Sequence, residues 1–280
     1  MKIIYIGGVE IGYTILKAVF DKNYSVDTIF TLPFSMKDKT SGFVDFSPLV
    51  KKNKSALIRV QDINSKEYIS KIKDTNPDLI IVCGWQRLIC EEILNIPRLG
   101  TVGFHSSLLP KFRGRAPVNW AIIMGEKETG VTMFYLTPEA DDGDIIAQSA
   151  FPILLNDDCK TIYEKSALAG AKLLTEYLPK IKDESAPRIH NISGTYPAYP
   201  KRTPKDGLID FNRSALDIYN FVRALTKPYP GAFYINNTGD KVIVWKIEII
   251  FDNSRLEEND IVFTTIDLNI RILDFQIVHK

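Results

Sequence analysis

The sequence predicts an α/β protein built on a Rossmann-like, mainly parallel sheet, followed by a small β-rich C-terminal domain. Short Ile- and Val-rich runs alternate with longer amphipathic stretches through the first half, as βαβ units on a parallel sheet do. After a stretch marked by Pro and Gly, the pattern changes to successive β-runs closing the chain. Hydrophobic residues at 45% and charged residues at 25% of 280 are ordinary globular values, enough for one large domain and a smaller appendage.

The strands come first. KIIYIG (2–7), VDTIFTL (26–32), ALIRV (56–60) and DLIIVCG (78–84) are short enough for buried strands and rich in β-branched residues. Between them, Ile11, Ile15, Leu16 and Val19 recur at helical spacing, as do Tyr68, Ile69 and Ile72 ahead of Pro77. A fifth strand at 101–104 leads into a Pro- and Gly-marked loop, a helix over 118–124, and strands at 130–136 and 145–150. A long helix over 158–181 precedes a linker at 192–207 carrying Pro197, Pro200 and Pro204. The expected division is therefore 1–205 for the catalytic domain with its linker and 206–280 for the C-terminal domain. The latter opens with a short strand at 208–211 and a helix capped by Ser214 that runs to Leu225. The turn PYPG (228–231) and several β-runs follow, and a small barrel is one form they could take.

Charge and composition exclude several functions. Thirty-five Lys and Arg against 34 Asp and Glu leave a net charge of +1, which argues against a large surface for nucleic acid. MKIIYIGG lacks the apolar core of a signal peptide, and no apolar run approaches the roughly 20 residues of a membrane span, so the expectation is a cytoplasmic protein with no membrane partner. Cys83, Cys90 and Cys159 suggest reduced, structural thiols, and with only His105, His190 and His279 no metal site is expected. The opening Gly7-Gly8-Val9-Glu10-Ile11-Gly12 departs from G-x-G-x-x-G, and Glu10 would repel a phosphate. A tight strand-to-helix turn explains it better than a dinucleotide site.

Chemistry concentrates in two places. The run GFHSSLLPKFRGRAP (103–117) begins at the C-terminal end of a predicted strand, where open α/β sheets place their sites. A lone His is more often structural, but His105 stands beside Lys111, Arg113 and Arg115, the setting of a general base facing an anionic ligand. The second place, EADDGD (139–144), is by itself an ordinary solvated acidic turn. It shares a sheet edge with His105 if the strands are parallel.

Together the two elements resemble the folate-dependent formyltransferase family, which includes methionyl-tRNA, glycinamide ribonucleotide and sugar N-formyltransferases. The family's His followed by S-L-L-P and a later Gly matches His105, Ser107, Leu108, Leu109, Pro110 and Gly114; its Asp-x-Gly after a strand matches Asp141-Asp142-Gly143 after ETGVT (128–132). PDLIIVCGW, KRTPKDGLIDF and PYPGAF extend the likeness over most of the chain, which among the family's branches most resembles enzymes formylating nucleotide-linked amino sugars.

The resemblance implies a formyltransferase fold and transfer of a formyl group from N10-formyltetrahydrofolate to an amine, without a metal. His105 would take the proton that the attacking nitrogen loses, and Asp141 would hold the imidazole or position the folate. The family's Asn two residues before the His, a donor to the oxyanion, is here Gly103. Losing such a donor typically costs about 2.7–4 kcal/mol, so a water or backbone donor is expected in its place. By the same resemblance the folate would lie on Trp85, Arg87, Leu88 and Ile89, on Ser107 to Pro110, and on Thr137, Pro138, Glu139 and Ala140, with Arg115 nearby. Core packing is an equal reading for Trp85.

Three functions compete. The first is an N-formyltransferase for a nucleotide-linked amino sugar of a surface glycan. The second is a methionyl-tRNA formyltransferase, which would need a basic surface, whereas 33–46 offers only Lys37 and Lys39. The third is a non-catalytic nucleotide-sugar-binding homologue. Substrate binding, assembly of a homodimer and stability alone are all open roles for the C-terminal domain.

Overall fold

The computed structural model describes residues 1–192, 196–252 and 256–279. They divide into two compact units, one of Met1–Gly114, Gly130–Phe151 and Tyr163–Ala198, the other of Arg115–Thr129, Pro152–Ile162 and Tyr199–Lys280.

In the first unit, β1 (Ile3–Ile6), β2 (Thr28–Thr31), β3 (Ala56–Arg59), β4 (Leu79–Val82) and β5 (Thr101–His105) are joined by α1 (Glu10–Asp21), α2 (Ser47–Asn53), α3 (Lys66–Thr75) and α4 (Glu91–Leu94). With β6 (Glu128–Tyr135) and β7 (Ile145–Pro152) they form one sheet in the order β3-β2-β1-β4-β5-β6-β7. The β1–β2, β2–β3, β1–β4 and β4–β5 ladders are parallel. The β5–β6 ladder is antiparallel, so the condition of parallel strands behind the sheet-edge argument does not hold there.

Period-two alternation explains why these strands are apolar throughout. Ile3 and Tyr5 of β1, with Leu79 and Ile81 of β4, face a core shared with α1 and with α6 (Cys159–Lys182); Ile4, Ile6, Ile80 and Val82 face a second core under α3 and α4. A sheet covered on both faces leaves no solvent side for polar residues. The turn from β1 into α1 is structural, as its sequence suggests. A Cβ on Gly12 would lie 2.4 Å from the Cys83 carbonyl oxygen, and Gly8 N–H donates to Gly84 O at 3.2 Å. These glycines lock the turn against the end of β4. Two short elements escaped the periodicity, α2 and a 3-10 turn at Phe34–Lys39.

In the second unit, α7 (Ala215–Leu225) packs with α5 (Pro117–Ile123), and Asn119 donates through Nδ2 to Ala224 O at 2.6 Å. Ser214 caps α7 as expected, accepting from Asp217 N–H at 3.1 Å. The expected strand at 208–211 reduces to a single bridge from Leu208 to Phe233, because Asp210 accepts from Asn212 N–H and turns the chain toward the cap. β8 (Ala232–Ile235), β9 (Lys241–Ile250), β10 (Val262–Thr264) and β11 (Asn269–Val278) form an antiparallel sheet ordered β10-β11-β9-β8. Among the described residues no ladder joins β8 to β10, so this is an open sheet, not a barrel. The predicted linker at 192–207 includes 193–195, outside the described residues; its end forms a 3-10 turn at Pro204–Gly207. Among the described residues no helix is long and apolar enough to cross a membrane.

Candidate active site

His105 closes β5 and is buried, 8% exposed. Its Nε2 lies 2.9 Å from the Phe112 carbonyl oxygen and its Nδ1 lies 3.5 Å from Asp141 Oδ1. A carbonyl can only accept, so the nitrogen facing Phe112 is the one that bears hydrogen. Nδ1 faces the Asp141 carboxylate, likewise only an acceptor, to which it can donate once it carries a hydrogen. Asp141 Oδ2 in turn accepts from Gly114 N–H at 2.8 Å. The loop after β5 thus returns to the imidazole through Phe112 and to its carboxylate partner through Gly114.

That loop is tied to the sheet by Thr132, which the sequence reading took only as the end of the ETGVT run, and by Gln148, which it did not single out. Thr132 lies opposite His105 in the β5–β6 ladder. Its hydroxyl donates to Ser107 O at 2.7 Å and accepts from Leu109 N–H at 3.0 Å and from Gln148 Nε2 at 2.9 Å. Gln148 Nε2 also donates to Leu109 O at 2.8 Å. The hydroxyl's donor and both its lone pairs are thereby used. A wholly buried Thr inside an apolar strand was the available signal.

Asp141 arrives by a less direct route than parallel strands would give. Because β6 runs against β5, it ends beside the start of β5, where Leu136 N–H donates to Thr101 O at 2.7 Å. The loop that follows doubles back. Leu136 packs directly on Gly103, where a Cβ would stand 2.4 Å from Leu136 Cδ2 and 2.9 Å from its Cγ. The space a water would need to stand in for the missing Asn beside Gly103 is therefore filled by a leucine. Tyr135 N–H donates to Asp144 O at 2.9 Å and closes the loop; a Cβ on Gly143 would come within 1.7 Å of Tyr135 O, so only glycine fits. Asp141 itself has φ +55°, a left-handed conformation uncommon outside glycine.

The remaining predicted residues fall into three groups. Trp85, Arg87, Leu88 and Ile89 lie on the loop after β4, the strand beside β5. Ile89 is buried in the second core, Leu88 is exposed, and Arg87 donates to Gln61 O. Trp85 packs against that core, while its buried Nε1 has no partner among the described residues. In the loop after β5, Ser107 donates to Lys111 O at 2.6 Å, Leu109 is buried, and Leu108 and Pro110 are half-buried. In the loop after β6, Thr137 donates to Glu139 O, Arg113 reaches Ala140 O, and Pro138, Glu139 and Ala140 are exposed. Arg115 is exposed and belongs to the second unit, its N–H donating to Tyr199 O.

Cys83, just before the Trp85 loop, is no nucleophile. Burial pushes its thiol up to about 12, so it is neutral near pH 7. Among the described residues no group of three His, Cys, Asp or Glu could hold a metal ion.

An imidazole and a carboxylate are thus held together where β5 ends in a Rossmann-like sheet. Comparison with known proteins gives the chain a family. Residues 1–178 match the formyl transferase family model and residues 201–277 match the formyl transferase C-terminal domain. The chain is 33% identical over 291 aligned positions to methionyl-tRNA formyltransferase of Clostridioides difficile, covering 100% of the chain and 93% of that protein. It is 38% identical over 257 positions to the bifunctional polymyxin resistance protein ArnA of Wigglesworthia glossinidia brevipalpis, covering 90% of the chain but 38% of that longer protein. In fold it is similar to an N-formyltransferase from Helicobacter canadensis, solved with folinic acid and dTDP-3-aminofucose, at a TM-score of 0.72 and 19% identity over 99% of this chain and 100% of that one. The chain belongs to the formyltransferase family and is a formyl-transferring enzyme.

Proposed function

We propose that the chain transfers the formyl group of N10-formyltetrahydrofolate to the amine of a nucleotide-linked amino sugar destined for a surface glycan. The observation that carries this reading is the clasp of His105 between Asp141 and Phe112, with Nδ1 3.5 Å from the carboxylate and Nε2 2.9 Å from the carbonyl. The amine nitrogen attacks the formyl carbon, and its proton passes to Nδ1 of His105. The imidazolium so formed has an acceptor at each nitrogen, which lowers the barrier to proton loss from the tetrahedral adduct. Collapse of the adduct breaks the bond from carbon to the folate N10, which leaves with a proton. The oxyanion draws on a backbone N–H donor, since position 103 carries no side-chain amide and Leu136 fills the space beside it. The folate would rest on the loops after β4, β5 and β6, whose backbone groups suit a flat, hydrogen-bonding pterin.

The nucleotide-sugar assignment is supported by the near-neutral charge of +1 and by the short 3-10 turn at Phe34–Lys39, where two lysines are the only basic residues. The Helicobacter enzyme of similar fold was solved with a dTDP-linked amino sugar. The full-length likeness to the Clostridioides protein favours a second reading, formylation of methionyl-tRNA. Incubation with N10-formyltetrahydrofolate and a panel of dTDP-, UDP- and GDP-linked amino sugars, beside charged initiator tRNA, separates the two. The proposal expects a formylated sugar; formylation of the tRNA with no sugar modified would overturn it.

A further inference from the structure

Asp141 sits in a left-handed backbone conformation, so something must hold it there. The carboxylate is held by Gly114, but the main chain is held by a segment outside every motif discussed so far. Asn191, 3% exposed, donates through Nδ2 to the Asp141 carbonyl oxygen at 2.9 Å. The residues just before it fasten the same loop further along. Ile189 exchanges two backbone hydrogen bonds with Ile145, at 2.8 and 2.9 Å. Asp144 lies 3.8 Å from Arg188 Nη1 and 4.0 Å from His190 Nδ1, and the Arg188 guanidinium stacks over the Tyr135 ring at 3.8 Å. Residues 188–191 thus bind the acidic loop from Tyr135 to Ile145.

The Asn191 amide carries its own sign of a task. Its Oδ1 is buried with no partner among the described residues, a cost that a packing residue would avoid. A leucine of the same shape would fill the site without that penalty, but it could not donate to Asp141.

From these contacts we infer that Asn191 is a positioning residue: by fixing the Asp141 carbonyl it directs the carboxylate to the space between His105 Nδ1 and Gly114 N–H. The functional side of this inference rests on the proposed role of the His105–Asp141 pair. Its structural side does not.

The test uses the full chain with Asn191→Leu, Asn191→Ser as a smaller alternative, and Asp141→Asn as the reference. Two readouts are taken on protein whose thermal unfolding shows it to be folded. In the first, the ring ¹⁵N resonances of His105 are expected to move in Asn191→Leu in the same sense as in Asp141→Asn. In the second, kcat for formyl transfer is expected to fall on the order of 10- to 100-fold, as for a misplaced catalytic group, with KM for the formyl donor little changed. If the His105 signals stay at their wild-type positions in both Asn191 variants while Asp141→Asn moves them, the inference is overturned and the catalytic pair survives. If the signals move while Asp141→Asn retains full turnover, Asn191 does position Asp141 and the proposed catalytic role fails instead.

Discussion

Gly103 is the position where residue chemistry and structure diverge most. The sequence shows that an amide is missing two residues before His105, but not why. The reason is Leu136, whose Cδ2 stands 2.4 Å from where a Cβ would be. Glycine and leucine form one packing unit, brought together by the antiparallel register of β5 and β6, which pairs Gly103 with Phe134 two residues before Leu136, and no local pattern in the sequence records such a pairing. Gly103→Ala should therefore destabilise the protein by about 1–3 kcal/mol through overpacking. Adding Leu136→Ala should recover part of the loss, because the intruding methyl is removed. Urea unfolding of the two single variants and the double variant measures this coupling; strictly additive effects would show that the two side chains do not compete for one space. Asp141 was legible as a residue type and its partner His105 as another, yet Asn191 was not, since an Asn beside a proline-rich stretch has no signature.

At the scale of elements, most of the first unit was readable. The alternation of Ile3 and Tyr5 with Ile4 and Ile6 across two cores is what makes each strand continuously apolar, and Ser214 announced α7 through its cap. The direction of β6 was not readable, because an apolar eight-residue strand pairs equally well either way. Its antiparallel course places Thr132 opposite His105, where it ties down the loop after β5. Thr132→Val keeps the shape and deletes the hydroxyl. It leaves Leu109 N–H and Ser107 O without this partner and should lower stability by about 1–3 kcal/mol. Activity should fall further than stability explains, since Phe112 and Gly114 of the same loop hold the His105–Asp141 pair. Thermal unfolding and turnover measured on the same preparation check both parts, and unchanged turnover would show the loop is held without Thr132.

For the molecule as a whole, charge separates the two substrate readings. A net charge of +1 leaves little for a polyanion to release counterions against, whereas 6–10 phosphate contacts weaken binding by roughly 10³–10⁵ between 50 and 200 mM salt. The apparent KM for the amine substrate should accordingly change less than about tenfold over that range. A steep dependence would point to the tRNA reading. The family was legible from the two motifs that carry His105 and Asp141, but the substrate was not, because neither motif records which amine enters.

The account turns on the claim that Nδ1 of His105, steadied by Asp141, takes the proton in the transfer step. The most direct measurement is kcat of His105→Gln, which fills the position with a neutral side chain unable to accept that proton, alongside equilibrium binding of a folate analogue. The account predicts a fall in kcat on the order of 10²- to 10⁴-fold, the usual worth of a positioned general base, with folate binding unchanged. Turnover within a few-fold of wild type would contradict it.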